Sequence, residues 1–384
     1  MEEQKKQVTE QINQLKEVLT KLETKDFNLY FFTLDTKGNP TAGIANIYEH
    51  VKILNELGYR ASILHEKNDY KLRGNQDGNG VADWLGEEYA SLPHVSLEGQ
   101  QLNISPADFI IIPEIFANIM DQVKTFPCKK IVLSQSYDYL LELLQIGKRW
   151  NVDYGFNDVI TTTEKQANYL KTLFPSIKTH IVPVSIPSYF KDSDKPKIPV
   201  VTILTRNQGD AAKIAKSFYL QYPIYKWITF KELRGLSRQQ FASELAKSCL
   251  AVWVDDQSSF GTFPIEAIES NTPVIGKIPN MVPEWMETTD ENKNVSIKHN
   301  GVWTNTTLNI PELIATYLKV WLEDSVPSDL IEGINESKGL YTTERQVNEA
   351  TKVYEGLYEN RLAELRITLE SLEEAKRQLE TTNV

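Results

Sequence analysis

Residues able to bind an anion or a sugar hydroxyl are densest in Val254–Gly276, which reads VDDQSSFGTFPIEAIESNTPVIG. An apolar run ends in Asp255, Asp256, Gln257, Ser258 and Ser259, a glycine follows at Gly261, and a helix is predicted over Phe263–Glu269. A strand that passes through a short glycine loop into a helix leaves backbone amides free at the positive end of the helix dipole. Phosphate and hydroxyl oxygens bind such a place. Glu266 falls on the first turns of that helix, where a carboxylate can accept both hydroxyls of a ribose. The competing reading is that Glu266 only complements the helix dipole.

A second segment with binding chemistry is LTRNQGDAAK, Leu204–Lys213, at the end of a predicted strand. Arg206 offers a fork of donors suited to phosphate and Lys213 a mobile point charge, with Lys216 as its rival. A third is the loop Asp35–Gly43, where glycine lets backbone approach a phosphate closely and Gly43 is the best-placed candidate. Other polar residues sit where first-half strands are predicted to end: Glu114 after Ile112-Pro113, and Gln135, Ser136, Tyr137 and Asp138 after Val132–Ser134. Loops at strand ends carry acceptors and general acid or base groups, although each such residue alone reads equally as a cap or turn. The five histidines show no metal-ligand spacing, and no hydrolase nucleophile motif or Walker loop is present, so no metal or cofactor is called for.

Val254–Gly276 resembles the signature of retaining glycosyltransferases of the GT-B fold, the large family 4-like group (glycosyl transferases group 1) typified by sucrose and glycogen synthases. Phe260-Gly261, Glu266-Ala267-Ile268 and Thr272-Pro273-Val274 match that signature in place. The resemblance implies that Glu266 holds the donor ribose. It implies that amides near Phe260, Gly261 and Thr262 hold the sugar and phosphates, and that Arg206 and Lys213 neutralise the donor pyrophosphate during catalysis. The first Glu of the family's pair is replaced by Ser258, so Ser258, Asp255 or Asp256 would meet the transferred sugar, with Ser259 beside them. Pro264 is also one place late. The likeness covers about residues 28–345 and is strongest over Val200–Gly276.

The predicted elements position these residues. Strands are expected at Asn28–Leu34, Arg60–Leu64, Phe109–Pro113, Lys130–Ser134, Asp158–Thr162 and His180–Val184. Helices are expected over Ile44–Leu57 and Ala117–Lys124, with Gly58 as a C-terminal cap. Ser185–Pro199, rich in Pro, Ser and Lys, suits a linker. Alternation then resumes with strands Val200–Leu204, Lys226–Phe230, Cys249–Val254 and Pro273–Gly276 and helices Ala211–Leu220, Arg238–Ala246 and Phe263–Glu269. Alternating strands and helices imply parallel sheets covered on both faces. The expected class is α/β: two Rossmann-like domains, residues 27–190 on the acceptor side and 198–340 on the nucleotide-sugar side, facing a cleft at their strand ends.

Each end of the chain adds an amphipathic helix. Val8, Ile12, Leu15, Leu19 and Leu22 form a coiled-coil-like seam in residues 1–26. Leu362, Leu365, Leu369, Leu372 and Leu379 form another within residues 341–384, where Tyr341–Leu357 is expected to cross back to the first domain. These seams could pack on their own domains, on each other, or on a second subunit.

Bulk composition narrows the partners. A formal net charge of -11 argues against broad attraction to nucleic acid or anionic lipid. Two cysteines, Cys128 and Cys249, build no disulfide framework. The charged N-terminus is unlike a secretory signal and no apolar run is long enough to span a bilayer, so the expected location is the cytoplasm, with at most peripheral contact at the inner membrane face. The expected activity is transfer of a glycosyl group from a nucleoside diphosphate sugar to a hydroxyl acceptor, in glycan or polysaccharide synthesis, with retention implied by the resemblance alone. Three alternatives stand beside it. One is another enzyme on the same two-domain frame, such as a sugar epimerase. A second is a glycosyltransferase acting on modified DNA bases. The third is a catalytically weakened nucleotide-sugar-binding scaffold that oligomerises through its terminal helices.

Overall fold

The computed structural model describes residues 2–34, 41–74, 80–99, 102–191, 196–291 and 294–381. Asp35–Pro40 of the glycine loop and residues 192–195 of the expected linker lie outside the described residues.

Seven strands form the first sheet: β1 (Asn28–Phe32), β2 (Arg60–His65), β3 (His94–Ser96), β4 (Phe109–Pro113), β5 (Lys129–Ser134), β6 (Asp158–Thr161) and β7 (Lys178–Ile181). Their spatial order is β3-β2-β1-β4-β5-β6-β7, and every pairing is parallel. Period-two alternation divides the side chains between two cores. Leu29, Phe31, Phe109 and Ile111 pack on one face, while Tyr30, Phe32, Ile110 and Ile112 pack on the other. The unbroken apolar run Phe109–Ile112 is what a strand covered on both faces requires.

The rest of the strands are β8 (Ile198–Thr205), β9 (Thr229–Glu232), β10 (Ser248–Val254), β11 (Val274–Lys277), β12 (Glu287–Thr289), β13 (Val295–Ile297) and β14 (Val302–Thr304). The second sheet runs β14-β11-β10-β8-β9, again all parallel, while β12 and β13 form a separate antiparallel pair. In each sheet the order reverses next to the first strand, between β1 and β4 and between β8 and β10. Connections leave such a point in opposite directions and open a crevice beyond the strand ends.

Ser185–Pro199 lies between the two sheets, with Ile186 and Phe190 buried in the second core and Ser188–Lys191 in a turn of 3-10 helix. The apolar residues among its prolines and lysines anchor it. The strand expected at Lys226–Phe230 instead begins at Thr229, because Pro223–Tyr225 takes a 3-10 turn first. The three-residue strands β3 and β12–β14 are too short to show a period in sequence.

The terminal helices pair with each other within the chain. Glu2–Glu23 and the 39-residue helix Thr343–Thr381 run antiparallel, linked by Lys16–Glu373 and Glu23–Arg366 ion pairs and by Tyr358 Oη donating to Leu22 O at 3.1 Å. Val18, Leu19, Leu22, Leu362 and Leu365 bury their side chains in the core of the first sheet, so the two seams serve one another and that sheet. The C-terminal helix is continuous. Tyr341 packs in the second core just before it, and Ala350, Tyr354 and Leu357 pack in the first.

Candidate functional site

The two crevices face each other and enclose a cleft of about 580 Å³. From the first sheet it is lined by Thr33 after β1, Glu114 after β4, Gln135 and Ser136 after β5 and Thr162 after β6. From the second it is lined by Thr205 at the end of β8 and Arg206 after it, Arg234 after β9 and Asp255, Gln257 and Ser258–Phe263 after β10. Topology alone places these residues together, since all follow strands beside or near a reversal point.

Arg206 sits where sequence reasoning expects it. Its Nη2 donates to Asp255 Oδ2 at 3.0 Å and its Nε to Oδ1, so the forked guanidinium meets the forked carboxylate. Burial disfavours its charge, but the Asp255 carboxylate and the Tyr139 hydroxyl together outweigh burial and hold the guanidinium pKa above its ordinary value. Arg206 also donates to Tyr139 Oη and lies over the Tyr139 ring at 5.4 Å, bridging the two halves. Ser136 and Tyr137 strengthen that bridge: Ser136 Oγ donates to Gln257 O at 3.4 Å, and Tyr137 N donates to Ser259 Oγ at 3.0 Å.

Helix Thr262–Glu269 opens toward the cleft. Its cap, Gly261, has φ of 71°, and a Cβ there would lie 3.0 Å from the Trp253 ring, so a side chain would be strained by the backbone and crowded by the ring. Phe260, Gly261 and Thr262 line the cleft at the amide-rich start of this helix. Phe260 O accepts from Trp285 Nε1 at 2.6 Å, which fixes the turn.

Glu114 is the charged residue that the first sheet contributes among the described lining residues. Only 2% of it is exposed. Oε1 accepts from Ser136 N at 2.6 Å, whereas Oε2 is buried without a hydrogen-bond partner. Burial raises its pKa to about 7, against the opposing pull of the surrounding backbone amides. Beside it Gln135 donates to Gly43 O at 3.1 Å and accepts from Asn46 Nδ2 at 3.0 Å, which brings Gly43 to the cleft wall.

Several expected residues lie elsewhere. Lys213 is exposed on helix Asp210–Gln221, away from the cleft wall, with Nζ 2.9 Å from Asp210 one turn earlier. Among the described residues the second cation of the cleft is Arg234, whose Nη2 donates to Thr205 O at 2.5 Å and whose Nε pairs with Glu232. Its signal is an arginine beside Gly235, where φ is +67, just past a strand; the expected end of β9 at Phe230 hid it. Glu266 is buried and off the cleft wall, with Oε1 accepting from Arg238 Nη2 at 2.6 Å. Arg238, between the Phe190 and Phe241 rings, therefore occupies the carboxylate expected to face a ribose. Asp256 pairs with Lys277 at 2.7 Å outside the lining. Tyr137 and Asp138 contribute no lining either; the Tyr137 ring packs against Tyr169.

Among the described residues no group of three or more His, Cys, Asp or Glu side chains is arranged to hold a metal ion. None of the described helices is long and apolar enough to cross a membrane.

Comparison with known proteins places the fold. No protein-family profile matches the chain. A curated protein of Actinobacillus pleuropneumoniae serotype 7, an alpha-1,6-glucosyltransferase, is 25% identical over 258 residues, which is 65% of this chain and 72% of that protein. Among solved structures, sucrose-phosphate synthase from Thermosynechococcus elongatus aligns with a TM-score of 0.56 at 11% identity, covering 87% of this chain and 99% of that one. The pneumococcal O-GlcNAc transferase GtfA, solved with UDP and GlcNAc, also gives 0.56 at 11% identity, covering 88% and 99%. HepE of Anabaena, solved with UDP and glucose, gives 0.54 at 12% identity, covering 86% and 99%. The architecture is thus GT-B: two Rossmann-like parallel-sheet domains across a cleft.

Proposed function

We propose that this GT-B chain is a glycosyltransferase that moves a hexosyl group from a nucleoside diphosphate sugar to a hydroxyl acceptor in glycan synthesis, with retention of configuration. The observation that carries the reading is the convergence of Arg206, Arg234 and the start of helix Thr262–Glu269 on one wall of the cleft. Two cations and a set of free amides suit a diphosphate. Support also comes from the glucosyltransferase relative and from the UDP complexes of GtfA and HepE.

In the reaction, the acceptor oxygen bonds to the anomeric carbon. The bond from that carbon to the diphosphate oxygen breaks, its electron pair stays on the diphosphate, and the hydroxyl proton passes to the departing phosphate oxygen. Negative charge grows on the leaving group, and fixed donors placed around it stabilise the transition state most. Arg206 and Arg234 are those donors. Ser136, Tyr137 and Tyr139 tie the first half to the second across the cleft, and closure of the halves over the donor would exclude water and limit hydrolysis.

Screening UDP-, GDP- and ADP-sugars for thermal stabilisation and slow hydrolysis tests the reading. Stabilisation by at least one, with release of its nucleotide, is expected; indifference to all of them defeats it. A weakened scaffold is the second reading, favoured by Ser258 at the place of the family's first Glu and by the burial of Glu266 against Arg238. Nucleotide stabilisation without turnover of any sugar donor is its signature.

A further inference from the structure

We propose that Glu114 marks the acceptor subsite and that this subsite selects an uncharged sugar over a phosphorylated or carboxylated one. The inference rests on the glycosyltransferase reading and deepens it. Charge is divided unequally across the cleft. Both lining cations, Arg206 and Arg234, belong to the second sheet, while the described lining residues of the first sheet carry one ionisable carboxyl and no cation.

On the first-sheet side the polar lining consists of Thr33, Thr41, Gln135, Ser136, Tyr139 and Thr162, with Tyr139 Oη accepting from Arg206. All are neutral donors and acceptors, the chemistry that matches several sugar hydroxyls. Ile115 and Phe116 beside them supply apolar surface for a ring face.

Glu114 itself has one oxygen satisfied and one waiting. Oε1 is held by Ser136 N, and Oε2 is buried with no partner. A buried acceptor atom left unpaired is costly, so a small turn of the carboxyl that brings Oε2 to a ligand hydroxyl gains more than an exposed hydrogen bond gives. An acceptor phosphate would meet like charge there at short range in a low-dielectric wall. Burial holds the carboxyl pKa near about 7, so the charged form gains as pH rises through neutrality.

The test follows UDP release from UDP-glucose, or the corresponding nucleotide from whichever donor stabilises the protein, with no acceptor, with glucose, or with glucose 6-phosphate. Glucose should accelerate release over hydrolysis, and glucose 6-phosphate should be poorer by about tenfold or more, the scale of one lost charge-assisted contact. Glu114→Gln should raise the glucose KM by about tenfold and narrow the preference for glucose over its phosphate. Thermal stabilisation by UDP, which reads the donor side of the cleft, should stay as in the wild type.

Should the variant not fold, the wild-type pH profile serves: the glucose KM should fall as pH rises through about 7. The proposal is overturned if glucose 6-phosphate matches or exceeds glucose, or if no neutral sugar accelerates release while UDP still binds. It also fails if folded Glu114→Gln keeps the wild-type KM. Failure of every nucleotide to bind the wild type would instead remove the donor reading beneath it.

Discussion

Arg238 donates to Glu266 across 2.6 Å, and the pair keeps only 17% and 1% of its side-chain surface exposed. Burial alone would disfavour the guanidinium charge, and the Glu266 carboxylate with the Tyr189 hydroxyl more than restores it, so the Arg238 pKa sits above its ordinary value. Removing one partner leaves the other charge buried and alone. Glu266→Ala should therefore cost about 3–5 kcal/mol of unfolding free energy, while the double change Arg238→Met with Glu266→Leu should recover most of that loss. Urea denaturation of the three proteins measures it. A Glu266→Ala protein of wild-type stability would mean that the pair is not closed in solution.

The turn into helix Thr262–Glu269 depends on Gly261. Its φ of 71° and the 3.0 Å separation between a built Cβ and Trp253 both oppose a side chain. Gly261→Ala should destabilise the fold by about 1–3 kcal/mol. Because the same turn presents the helix amides, nucleotide affinity should fall with it. Thermal melts with and without UDP separate the two effects.

His50 connects helix Ala42–Glu56 to the C-terminal helix, with Nδ1 2.8 Å from Tyr354 Oη and Nε2 unpartnered. Burial lowers its pKa from 6.5 to about 4. A base whose folded pKa is depressed contributes stability that is full above its unfolded pKa and is lost as pH falls through the folded one. Lowering the pH from neutrality to about 4.5 should thus remove roughly 2–3 kcal/mol through this residue alone. His50→Gln, which keeps a partner for Tyr354, should show a smaller difference in stability between those two pH values, read by chemical denaturation.

The cleft cations differ in their expected importance. Lys213 is exposed and off the cleft wall, so Lys213→Ala should leave nucleotide binding as it is. Arg234 lines the cleft, and Arg234→Ala should weaken UDP by about tenfold to a hundredfold, the scale of a lost charge-assisted contact. The loss should be smaller for UMP, which lacks the second phosphate. Calorimetric titration of both nucleotides into both variants makes the comparison.

Much of this was legible in the residues. The run Phe109–Ile112, the strand end before Arg206 and the Gly261 turn carry local signals, and strand–helix alternation leads to two parallel sheets that reverse beside β1 and β8. Glu114 and Gln135 could be placed at the cleft because strand ends in such sheets converge. What stayed hidden was tertiary. The partner of Glu266 lies 28 residues upstream at Arg238, and no periodicity in sequence links them. Lys213 follows Asp210 by three residues on a helix, so a local ion pair claims it. Arg234 needed the end of β9 placed at Glu232, and strand ends are the least certain boundaries to read. The antiparallel match between the terminal helices depends on which seam each finds, which their shared heptad pattern leaves open.

The central claim is that a nucleoside diphosphate lies against Arg206 in the cleft. Its most direct test is calorimetric titration of UDP, GDP and ADP into the wild type and Arg206→Ala, with circular dichroism confirming the fold of each. The account predicts that the nucleotide bound by the wild type loses about tenfold to a hundredfold in affinity in the variant, as one charge-assisted contact requires. An unchanged Kd in a folded Arg206→Ala protein would contradict it.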